Sequence, residues 1–111
     1  TPSQLEAPQP MKEVEYPTNI FISYEGYKIW QRFFKELQIT QHNLTDIRFL
    51  FEIMKKDNFI HDTFKLVDLY NWLNDEYEFV VGQLKYTNPN QPSNRKRKSA
   101  YNAIKANINQ S

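Results

Sequence analysis

Between Tyr24 and Leu37 apolar side chains return every three or four residues. Tyr27, Trp30, Phe34 and Leu37 form one stripe, widened by Ile29 and Phe33, while Lys28, Gln31, Arg32, Lys35 and Glu36 occupy the opposite face. That period belongs to a helix, and Ser23 is well suited to cap its start. The stripe is mostly aromatic, as is the rest of the apolar set: eight Phe, seven Tyr and two Trp in 111 residues. Each ring can bury roughly 150–250 Å². A few of them therefore fill one small core without a disulfide or a metal, and the length suits a single domain. Only two glycines are present. A β-sandwich needs many turns that tolerate positive φ, so the chain is expected to be all-α.

The same reading gives three further helices. Asn43 or Thr45 caps a second, to about Lys56, with Ile47, Leu50, Phe51 and Met54 on its stripe and Phe49 and Ile53 widening it. Lys55 and Lys56 suit its C-terminal dipole, and Asn58 is placed to take the left-handed conformation that closes it. Thr63 or Asp62 caps a third, to about Glu76, with Leu66, Leu69, Tyr70, Leu73 and Tyr77 on one face. After the loop containing Pro89 and Pro92, Ser93 or Asn94 caps a fourth, with Tyr101, Ile104 and Ile108 at helical spacing. The expectation is a flexible Pro-rich arm over residues 1–19 and a compact bundle of about four helices over 20–109. The second and third helices would form a central hairpin. Extended backbone at Phe79–Tyr86 would make the bundle winged-helix-like.

Several function classes find no support. No cysteine is present, which removes thiolate chemistry and suits a reducing compartment. No apolar stretch approaches the roughly 18–20 residues of a membrane span, and no signal peptide is visible. A cytoplasmic protein without a membrane role is expected. The chain opens on Thr1 rather than Met, as a processed or excised piece would. His42 and His61 are the only histidines; they show no metal-ligand spacing, and no catalytic triad or phosphate-cradling glycine loop is present. No enzyme, metal or cofactor is expected. Asn43-Leu44-Thr45 and Asn109-Gln110-Ser111 match the glycosylation tripeptide, but helix capping and tail composition explain them better.

Charge is polarised along the chain. Residues 94–111 hold five of the fourteen basic residues and no acidic one, a local +5, which leaves nine bases and thirteen acids upstream, a local −4. Arg95, Lys96, Arg97 and Lys98 fall in the first turn of the fourth helix, where each cation opposes the macrodipole by about 0.3–1 kcal/mol. Helix stability does not explain them, whereas an anion would. Two anions are available in principle: a nucleic-acid phosphate, or the acidic patch of Asp75, Glu76 and Glu78 at the end of the third helix. A nuclear-localisation signal has the same composition. Tyr86 and Tyr101, close to the block in sequence, are the rings to consider for base stacking.

The run Phe49-Leu50-Phe51-Glu52-Ile53-Met54-Lys55-Lys56-Asp57-Asn58-Phe59-Ile60-His61, followed by Tyr70-Asn71-Trp72-Leu73, Tyr77 and the basic block, resembles small helical proteins of Bacteroidetes and their mobile elements. More distantly it is similar to the C-terminal region of RteC-type regulators. The resemblance spans about residues 45–105, with Asn58 where those proteins carry glycine. It implies a helical domain with a helix-turn-helix role in DNA regulation. Residues and resemblance together give an expected accessory DNA-binding or regulatory domain, contacting phosphates through Arg95, Lys96, Arg97 and Lys98 with Tyr101 beside them. The alternative is a protein-interaction module docking through exposed aromatics of the first helix or the Pro-rich arm.

Overall fold

The computed structural model describes residues 16–110, the last two as backbone only. Four α-helices follow in order: α1 (Tyr24–Glu36), α2 (Leu44–Lys56), α3 (Leu66–Tyr77) and α4 (Arg95–Gln110), the last led in by a 3-10 turn at Pro92–Asn94. The protein is an all-α bundle. Among the described residues Ile20–Ile22 comes closest to a strand, through a single antiparallel bridge between Phe21 and Ile60. Phe79–Tyr86 is irregular and, among the described residues, pairs with no strand. The expected Pro-rich arm lies outside the described residues as far as position 15. Residues 16–19 belong to the domain: Tyr16 packs its ring on Tyr24 and Tyr27, and the Thr18 carbonyl lies 2.9 Å from His61 Nε2.

The helix starts show which capping signals the chain uses. Ser23 Oγ accepts from Gly26 N at 3.2 Å, as its position predicts. Asn43 stands at the N-cap of α2, but its carboxamide oxygen is turned to Thr40 N at 2.7 Å. Helix α3 begins later than Asp62 or Thr63 would start it. Phe64 is first laid into the core against Phe51, and Asp68 then accepts from Lys65 N at 2.9 Å. Gly26 is present for close approach: a Cβ there would stand 3.1 Å from both Phe59 Cβ and the Phe59 carbonyl oxygen. That carbonyl is itself held by Ile22 N at 3.0 Å.

Three helices close through left-handed residues, and none of these is glycine: Gln38 (φ 52), Asn58 (φ 65) and Glu78 (φ 59). At α1 and α2 the closure is a Schellman pair. Ile39 N donates to Phe34 O at 3.0 Å and Phe59 N to Met54 O at 2.8 Å, which turns Ile39 and Phe59 back onto the core. Asn58 acts as its sequence predicts. The other two show that a low glycine count does not limit positive φ as strictly as composition suggests.

The centre of the bundle is α1, where the sequence pattern pointed to an α2–α3 hairpin. Trp30 meets Trp72 of α3 at 5.4 Å between ring centroids, Phe34 stacks on Tyr77 at 5.1 Å, and Phe33 faces Phe49 of α2 at 6.1 Å. Helix α4 lies closest to α1 and also packs on α2. Trp30 is fully buried, and its indole N–H donates to the Tyr77 hydroxyl at 3.2 Å. Burial pushes the Tyr77 phenol up to about 12, partly offset by that hydrogen bond. Aromatic rings of α1 thus reach both α2 and α3, because large rings on a wide stripe meet more than one neighbour.

Candidate nucleic-acid interface

The 3-10 turn shifts the basic block inward. Asn94 N donates to Gln91 O at 2.9 Å and Arg95 N to Pro92 O, so the helical path begins at Pro92. Arg95 to Lys98 therefore occupy the first full α-turn, behind amides that are already satisfied. The four cations separate into distinct roles. The side chains of Arg95 and Lys96 are exposed and, among the described residues, have no hydrogen-bond or ion-pair partner. Lys98 is half-buried and donates to Asn90 Oδ1 at 2.6 Å. Arg97 turns inward, pairs with Asp46 in the first turn of α2, and donates to Asn94 Oδ1 at 2.9 Å.

The acidic patch considered from the sequence does not take up Arg97. Its partner Asp46 lies on α2, and among the described residues none of the four cations pairs with Asp75, Glu76 or Glu78. Two solvent-open grooves flank the exposed cations. One, of about 270 Å³, has Asn90, Arg95 and Lys98 in its wall; the other, of about 500 Å³, has Lys96 and Arg97.

Tyr101 does not belong to this surface. It is fully buried, and its hydroxyl donates to Asp57 Oδ2 at 2.8 Å, which Lys105 Nζ also approaches at 3.2 Å. Burial raises the Tyr101 phenol strongly, and the hydrogen bond to the Asp57 carboxylate adds to it. Tyr101 anchors α4 to the end of α2 and presents no ring face to a base. Tyr86 does the opposite: it is 64% exposed, with the Arg48 guanidinium 5.5 Å from its ring centre. Arg48 carried no signal in the sequence, because its partners include Leu84, 36 positions later.

The aromatics of α1 are largely committed to the core, with Trp30 and Phe33 fully buried and Phe34 nearly so. Among the described residues no group of three His, Cys, Asp or Glu side chains could hold a metal ion. No described helix is long and apolar enough to cross a membrane. Comparison of the chain with protein-family models, curated proteins and solved structures finds no match.

Proposed function

We propose that this protein is a non-enzymatic accessory domain that binds nucleic acid through phosphate contacts from Arg95, Lys96 and Lys98, in a regulatory role. One observation carries the reading. Two adjacent cations in the first turn of α4 have exposed side chains that are unpaired among the described residues, while Asp46, at the start of α2, is taken by Arg97. Their position opposes the helix dipole, so an external anion is what gives them a favourable environment. The regulatory role rests on the resemblance to regulators of mobile elements.

The test is binding of labelled oligonucleotides across a salt series. Three phosphate contacts correspond to a log–log salt slope of roughly −2 to −3. Substituting Arg95 and Lys96 by Ala should weaken binding and flatten the slope by about 1 to 2. Affinity and slope unchanged in that double variant would overturn the proposal.

A further inference from the structure

We infer that Tyr86 is a stacking platform for an unpaired base, which makes the preferred ligand of this surface single-stranded nucleic acid. The inference rests on the proposed phosphate contacts and adds what they lack, a feature that separates a single strand from a duplex. Tyr86 is the one exposed aromatic among the described residues, at 64%. Tyr101, by contrast, has its whole ring in the core.

The ring is backed on one side by a fixed cation. The Arg48 guanidinium is held by Glu52 at 2.7 Å and by the Leu84 carbonyl at 2.6 Å, and it lies 5.5 Å from the Tyr86 ring centre. Glu52 neutralises Arg48, whose side chain is only 13% exposed. Arg48 therefore serves to support the ring and leaves the ring's outer side to solvent. An aromatic held in this way can stack on a base with little loss of side-chain freedom, and such stacking is largely independent of base identity.

Two connections tie the ring to the cations. Residues of the first turns of α2 hold both, Arg48 backing Tyr86 and Asp46 binding Arg97. Thr87, next to Tyr86, accepts at Oγ1 from the buried Asn94 Nδ2 at 2.8 Å, directly before Arg95. The loop that carries the ring and the turn that carries the cations are thus tied to each other and to the start of α2. Lys85, exposed beside Tyr86, adds a further cation to that loop. In a duplex the bases are stacked on one another, and the ring would find no free face.

The experiment is fluorescence anisotropy with a labelled oligothymidine of about fifteen nucleotides, alone and as a duplex with its complement, in low salt. Tyr86→Ala and Tyr86→Leu should each weaken single-strand binding about tenfold and change duplex binding by less than about twofold. Tyr86→Phe, which keeps the ring, should bind as the parent does. Tyr86→Leu keeps apolar bulk, so a loss shared by both variants with unchanged thermal melting is a loss of stacking. Single-strand affinity unchanged in both variants, with Arg95→Ala/Lys96→Ala still weakening binding, would overturn the platform and leave the phosphate contacts standing. If the double cation variant binds both ligands as the parent does, both readings fall.

Discussion

Arg97 pairs with Asp46, 51 positions earlier in the chain, and so joins the first turn of α4 to the first turn of α2. One member of a four-cation run is thereby a structural residue, although nothing in the run distinguishes it from its neighbours. Arg97→Ala would leave a carboxylate that is only 18% exposed without its cation. We expect a loss of about 1–2 kcal/mol in unfolding free energy, between the values for exposed and buried pairs. Its oligonucleotide affinity at a temperature where it is folded should stay close to the parent's. Urea titration of Arg97→Ala beside Arg95→Ala checks this, and equal stability in the two variants would contradict it.

Asn94 is fully buried and is the hub of the same corner. Its amide nitrogen donates to Thr87 Oγ1 and to Asn88 O, both at 2.8 Å, while its oxygen accepts from Arg97. Asn94→Ala should cost about 2–3 kcal/mol, since it removes several hydrogen bonds and leaves buried partners unsatisfied. Asn94→Asp should also destabilise, because a carboxylate cannot donate to Thr87 or Asn88. Hydrogen exchange should show faster opening of residues 84–91 in the Ala variant. Unaltered exchange there would mean that Asn94 does not tie the loop to α4.

Partly buried Tyr77 and fully buried Tyr101 set the response to alkali. An unfolded tyrosine ionises near its ordinary value of 10.0, whereas folded Tyr77 keeps its proton up to about 12, and Tyr101 is shifted in the same direction by burial and by Asp57. Unfolding therefore releases protons above that ordinary value. The stabilisation is complete below pH 10 and is lost as pH rises through the window toward 12. The urea midpoint should fall between about pH 9 and about pH 11, and fall less in Tyr77→Phe/Tyr101→Phe. A parent midpoint constant over that range would contradict the assignment.

Much of the fold was legible because helices are written locally. The α1 stripe, the Ser23 cap and the Asn58 closure each depend on residues within one or two turns, and all three occur as the spacing implies. Where α3 begins was not legible, because burial of Phe64 against Phe51 outranks the capping offered by Asp62 and Thr63. The candidate site was half legible. Composition located the basic block, and sequence proximity drew attention to Tyr86 and Tyr101 without distinguishing the core ring from the exposed one.

By itself the sequence determined an all-α chain whose core is aromatic and whose positive charge gathers at the start of the last helix. Those properties follow from residue period and composition, which need no knowledge of neighbours in space. Only the tertiary structure decided which residues of that last segment face inward. Asp46 and Asp57, at opposite ends of α2, take Arg97 and Tyr101. Arg95 and Lys96 are left in solvent, and Tyr86 lies outside on Arg48. A carboxylate far away in sequence can select one cation from a run only once packing brings it within reach. The sequence therefore recorded the charge, and the fold divided it between structure and surface.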